Sequence, residues 1–189
     1  MHARDFAFTV HDLENAAEIV YRTLTPTPQF AWPLLAAELG AEVWVKHENF
    51  TPTGAFKVRG GLVYFHELVS GGARPAGVIS ATRGNHGQSV GFAARKHNIR
   101  ATIVVPHGNS LEKNAAMRAL GVELIEHGAD FQESREHAVR LATERGLHMI
   151  PAFHPHLVRG VATYAVELLR GVPDLATVYV PIGDRKSVV

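Results

Sequence analysis

The sequence predicts an α/β fold with largely parallel sheets, and three observations carry that expectation. From about residue 40, short β-branched runs alternate with longer amphipathic ones. Glycine and proline mark most of the boundaries between those runs. At 189 residues, 46% of them hydrophobic, the chain is long enough to bury a real core.

Residues 43–45, 78–80, 102–105, 123–125 and 178–180 read as strands. Segments 57–69, 86–97, 111–120, 131–145 and 157–170 carry apolar residues at three- and four-residue spacing and read as helices. Segment 11–22 also reads as a helix, with Asp12 as its N-cap. Turn signals fall at Gly71-Gly72, Gly84, Pro106, Gly121, Gly128, Gly146, Pro155 and Pro173. Strands alternating with helices in this way require right-handed crossovers between parallel strands.

Two weak seams, SGGARP at 70–75 and His154–Pro155–His156, bracket three strand–helix units. Residues 76–154 are therefore expected to form a small α/β lobe. Residues 1–75 and 155–189 are expected to belong to a larger unit into which that lobe is set. Residues 177–183 (TVYVPIG) read as a buried strand leaving into a glycine turn, and the DRKSVV that follows does not continue the alternation. The expectation is a chain cut short, with residues 184–189 foreign to the original reading frame; the alternative is a genuine frayed tail.

Composition narrows the function classes. A formal charge of +1, with the lysines and arginines scattered, gives no electrostatic footprint for nucleic acid. No apolar run has the length of a membrane span, and the polar opening MHARDFAFTVHDLENA is not a secretory leader. There is no cysteine, which removes disulfides and thiolate chemistry and suits a reducing cytoplasm. The 12 histidines show no H-E-x-x-H or comparable spacing, so no metal is expected.

Three segments could carry chemistry. In 46–61 (KHENFTPTGAFKVRGG) a strand ends, a loop follows and Lys57 falls at a helix start with Arg59 behind it. The positive end of the helix dipole and a second cation both favour a neutral amine, as a Schiff-base lysine needs. An ordinary solvated lysine is the alternative reading of Lys57. In 80–91 (SATRGNHGQSVG) a strand passes through a glycine loop into a helix, a junction that turns backbone N–H groups toward a carboxylate or phosphate. The plain alternative there is a loop whose Asn85 is only an N-cap. The segment matches neither G-x-G-x-x-G nor a Walker loop. The third segment, Val180-Pro181-Ile182-Gly183, says little alone.

Taken together, these segments resemble the fold-type II pyridoxal-phosphate enzymes, the tryptophan synthase β-like group, and within it the serine/threonine dehydratases. Lys46, Glu48, Thr53, Gly54, Phe56, Lys57, Arg59 and Gly60 match a motif similar to K-x-E-x-x-x-x-T-G-S-F-K-x-R-G, with Ala55 in the serine position. Gly84, Asn85, His86 and Gln88 match a loop of the form S-x-G-N-H-x-Q. Segment 113–128 resembles the stretch K-x-x-x-x-x-x-x-G-A-E-V-x-x-x-G, and Gly160, Thr163 and Glu167 fall in place in P-F-D-x-P-x-x-x-x-G-x-x-T-x-x-x-E. The resemblance spans residues 25–183 in the right order.

The resemblance implies pyridoxal 5′-phosphate as cofactor and a β-elimination that turns a hydroxy amino acid into a 2-oxo acid and ammonia. It implies that Lys57 carries the cofactor as a Schiff base and removes the substrate Cα proton. It implies further that Phe56 packs beside the cofactor ring, that Asn85 bonds its 3′-oxygen, and that Thr82, Asn85 and His86 hold the substrate carboxylate. Gly183 would open the phosphate cup. The implied partners are a small amino-acid substrate and, for the complete enzyme, a second identical subunit.

Cysteine synthase-like relatives usually have G-N-T-G where this chain has Gly84-Asn85-His86-Gly87, which favours elimination over β-replacement. Racemases of the group tend to have a serine where this chain has Arg83, which cannot give up a proton near neutral pH, so no efficient racemisation is expected. The departure lies at the phosphate cup, where Asp184 replaces a further glycine and would repel a phosphate. The chain as written is expected to bind the cofactor poorly and to turn over negligibly. A dehydratase for another β-substituted amino acid, a β-replacement synthase, and a non-catalytic remnant or small-molecule-binding module stand as alternatives.

Overall fold

A computed structural model describes residues 7–72 and 74–180. The first element, α1 (Val10–Tyr21), opens with a capping box in which Thr9 is the N-cap and Asp12 reciprocates from the third helical position. Asp12 was the expected cap; Thr9 takes that place because its hydroxyl reaches the Asp12 N–H while the Asp12 carboxylate turns back to the Thr9 N–H.

The next stretch holds elements too short to show a period. Strands β1 (Gln29–Ala31) and β2 (Trp44–Lys46) pair antiparallel, with Gln29 opposite Lys46. Between them lies α2 (Pro33–Leu39), opened by a proline and closed by Gly40 in the left-handed region, with no buried residue.

From there the expected alternation is observed: α3 (Lys57–Ser70), β3 (Val78–Ala81), α4 (Asn85–Lys96), β4 (Ala101–Val105), α5 (Leu111–Ala119), β5 (Glu123–Glu126) and α6 (Phe131–Arg145). The two-residue β6 (His148–Met149) and the long α7 (Pro155–Gly171) follow. Pro155, expected as a turn signal, is the first helical residue of α7, where a missing N–H costs nothing. The expected buried strand at 178–180 is absent: these residues are irregular and exposed, Tyr179 by 93%. A strand needs a partner for its backbone groups, and no described strand runs beside this one.

Four strands form a parallel sheet in the order β5-β4-β3-β6. Period-two alternation sorts its side chains: Val78, Ile103 and Val105 face α3, α4 and α5, whereas Ile79, Ala81 and Val104 face Ala138 and Leu141 of α6. A third cluster joins α1 to α3 through Ala16, Val20, Val58 and Leu62.

Helices α3 and α7 cross at two glycines. A methyl group on Gly60 would lie 2.6 Å from the Leu157 carbonyl oxygen, and one on Gly160 would lie 2.5 Å from that of Arg59. Only glycine permits this approach, and it brings α7 against the first turn of α3.

Candidate active site

The loop before Lys57 is closed by one hydroxyl. Thr51 Oγ1 accepts from the Ala55 N–H at 3.0 Å and donates to the Ala55 carbonyl at 2.9 Å. The chain then enters α3 at Lys57, its first residue, half-buried. Phe56 occupies the N-cap position without a capping bond, its ring 5.8 Å from that of Tyr164.

Helix α4 begins beside it, because the Ser89 hydroxyl donates to the Lys57 carbonyl at 2.7 Å. Like α3, α4 has no side-chain cap: Gly84 precedes it, and Asn85 is its exposed first residue rather than the cap. In contrast α1, α5, α6 and α7 are capped by Thr9, Ser110, Asp130 and His154. The loop into α4 leaves β3 where the sheet order reverses, since the chain runs outward through β4 and β5 and returns as β6 on the other side. In open parallel sheets the crevice outside the strand ends at such a switch point is where ligands bind.

Thr82 is buried and its hydroxyl accepts from the Gly84 N–H at 3.2 Å, which fixes that loop. His86 is buried and its Nε2 has no hydrogen-bond partner among the described residues. Burial, with the nearby Lys57 charge adding to it, pushes the imidazole down to about 4, so it is neutral at neutral pH. A buried nitrogen left without a partner costs about 1–3 kcal/mol. The Ser89–Lys57 bond and the closeness of Lys57 to His86 set the starts of α3 and α4 side by side, with Thr82 and Asn85 in the loop and first turn of α4 and Phe56 just before α3. Gly183 lies outside the described residues.

Next to these helix starts is a polar network that the sequence did not reveal; Arg59, expected to act as a second cation beside Lys57, has its charge answered there by Glu48 and Glu167. Arg59, wholly buried, donates from Nε and Nη2 to Glu48 at 2.8 and 2.9 Å. Its Nη1 and Nη2 donate to Glu167 at 2.6 and 3.0 Å, and Nη1 also reaches the Thr163 hydroxyl at 3.1 Å. Lys46 lies 2.5 Å from Glu167 and donates to the Thr27 carbonyl. Burial pushes the Glu167 carboxyl up, but the hydrogen bonds and charges of Arg59 and Lys46 outweigh it and hold the group below the usual range. Tyr21, exposed but partly desolvated and donating to Glu167 at 2.9 Å, is pushed up to about 12 by that desolvation and that bond. The available signal was Arg59 set among Val58, Gly60, Gly61, Leu62 and Val63, since an arginine in so apolar a stretch must be paired if it is buried.

The family model for pyridoxal-phosphate dependent enzymes matches residues 20–185. The chain belongs to that family. Among relatives of this pyridoxal-phosphate enzyme family, the biosynthetic L-threonine dehydratase of Haemophilus influenzae is 36% identical over 165 residues, which is 87% of this chain and 32% of that protein. The L-threo-3-hydroxyaspartate ammonia-lyase of Saccharomyces cerevisiae is 34% identical over 176 residues, 93% of this chain and 54% of that one. A solved pyridoxal 5′-phosphate-dependent aspartate racemase superposes with a TM-score of 0.84 at 30% identity, covering 90% of this chain and 53% of that chain. The fold is the tryptophan synthase β-like fold of type II enzymes. The chain spans between a third and about half of the length of the relatives it matches.

Proposed function

We propose that this chain is the part of a threonine/serine dehydratase that holds the cofactor amine and the substrate carboxylate. The observation that carries the reading is the joint opening of α3 and α4: Lys57 starts one helix, an uncapped anion-ready terminus starts the other, and the buried His86 between them has an unanswered nitrogen. That set suits an aldehyde cofactor bearing an amino acid. The residue proposed to begin the phosphate cup, Gly183, lies outside the described part.

Pyridoxal 5′-phosphate, when bound, supplies the electron sink that stabilises charge at the substrate Cα. Lys57 is the group that would hold it and then take the Cα proton, both of them tasks of a neutral amine. Asn85 and Phe56 would orient the ring, Asn85 by a bond to its 3′-oxygen. Backbone N–H groups of the first turn of α4, with Thr82 and His86, would hold the substrate carboxylate. Loss of the β-hydroxyl as water and hydrolysis of the remaining C–N bond give a 2-oxo acid and ammonia.

The Gly84-Asn85-His86-Gly87 loop supports elimination over replacement, and Arg83 in place of a serine supports elimination over racemisation. Residues 76–154 are read as the small lobe, on the strength of the sheet they contain. The family resemblance also supports a homodimeric, cytoplasmic complete enzyme. Among the described residues, no helix is long and apolar enough to cross a membrane.

The test is stereoselective competition for Lys57. With excess cofactor present, L-threonine or L-serine added before borohydride lowers pyridoxyl labelling of Lys57 well beyond the effect of the D-enantiomer. Equal effects of the two enantiomers would contradict the proposed substrate class.

A further inference from the structure

Lys113 lies on the first turn of α5, an element to which the preceding reading gives no part in the site. Its side chain nevertheless crosses over the entry to α4. A methyl group built on Gly84 would meet Lys113 Cδ at 2.8 Å and Nζ at 3.0 Å. A side chain at position 84 would have to push the flexible end of Lys113 aside, so the glycine leaves that end room to lie over the entry to α4. Lys113 is exposed, and among the described residues it forms no ion pair.

A cation is an unfavourable neighbour for a helix N-terminus, whose own partial charge is positive. Here it stands over one with no side-chain cap. The other elements here add no described acid: the loop supplies Thr82 and Arg83, and α4 supplies Asn85, His86 and Gln88. His86 contributes a second, independent sign of a missing partner, a buried Nε2 with no hydrogen bond. The entry to α4 thus gathers uncapped N–H groups and the Lys113 ammonium, and its first turn carries the unsatisfied imidazole of His86.

We infer that Lys113 is a substrate-binding residue, which reaches from α5 across Gly84 to pair with the α-carboxylate of the amino acid seated on the α4 N-terminus. The inference rests on the proposed amino-acid substrate for the identity of the ligand. It makes the carboxylate a bridge between α4 and α5, so binding ties together two elements that otherwise meet only through their packing. Arginine would preserve the charge; methionine would preserve most of the stem without it.

The test is titration of the ¹⁵N-labelled full chain, without cofactor, by L-threonine and by its methyl ester, read at the backbone amides of residues 85–88. Saturable shifts are expected with the acid and not with the ester. Lys113→Met should weaken the acid by about ten- to a hundredfold, the worth of one charge-assisted hydrogen bond, and Lys113→Arg should recover most of it. Unchanged affinity in Lys113→Met, or no saturable shift in the wild type up to 100-fold above the range of ordinary substrate constants (about 1 mM), would overturn the inference. Labelling of Lys57 by cofactor and borohydride is read separately. If that labelling fails while the Lys113-dependent shifts remain, the dehydratase reading falls and the carboxylate site stands.

Discussion

Two polar regions lie within one turn of each other on α3, and they are built on opposite principles. Around Arg59 every charge is answered from inside the protein: Glu48, Glu167, Lys46, Thr27 and Thr163 close on one another. Above it, three features lack a described partner: the starts of α3 and α4 have no side-chain cap, His86 Nε2 is unpartnered, and Lys113 forms no ion pair among the described residues. Buried polar groups normally find partners, so a region that breaks this rule beside one that obeys it marks where an outside partner belongs. The closed region specifies the architecture, and the open one is kept for a ligand.

The largest way to break that contrast is to open the closed region. Arg59→Ala would leave two buried carboxylates without their shared partner, and the expected loss of folding stability in chemical denaturation is about 3–5 kcal/mol. A loss under about 1 kcal/mol would show that solvent already satisfies these groups.

Acid tests the open region. His86 is pushed down to about 4 in the folded chain, so the unfolded chain binds a proton first as pH falls. The stability contribution of neutral His86 is thus complete above its ordinary value near 6.5 and is lost between there and 4, by up to about 3 kcal/mol. His97, His148, His154 and His156 are lowered in the same direction by burial, so the effect is read as a difference between wild type and His86→Asn. The variant should lose less stability across that window; identical pH profiles would mean that His86 is not held neutral.

Smaller substitutions sharpen the contrast. Thr163→Val removes one bond from Arg59 and one to the Gly160 carbonyl, and about 1–2 kcal/mol of stability should go with it. Asp130→Ala strips the cap from α6 and should cost about 1 kcal/mol, whereas Asn85→Ala, at an uncapped start, should stay within about 0.5 kcal/mol. Equal costs at the two helices would mean that Asn85 caps α4 after all.

The sequence showed the alternating core well, because long periodic helices such as α6 and two-sided strands such as β3 and β4 carry strong patterns. It missed β1, α2 and β6, whose two to seven residues are too few to display a period. It misplaced a strand at 178–180, where apolar, β-branched residues meet no described partner. The same limit applies at the site. Lys57 and the Asn85 loop stood out because a local motif is contiguous. Glu167 joins Arg59 across 108 positions, and Lys113 reaches Gly84 from another helix, so only the folded backbone reveals their meeting.

The measurement that bears most directly on the central claim is borohydride reduction of the chain in millimolar pyridoxal phosphate, followed by peptide mapping. Reduction is irreversible, so it captures even the weak binding expected from Asp184 beside Gly183. A pyridoxyl group concentrated on the peptide containing Lys57, and lost in Lys57→Ala, is the predicted result. Labelling spread over exposed lysines, with Lys57 no more modified than the rest, would contradict the account.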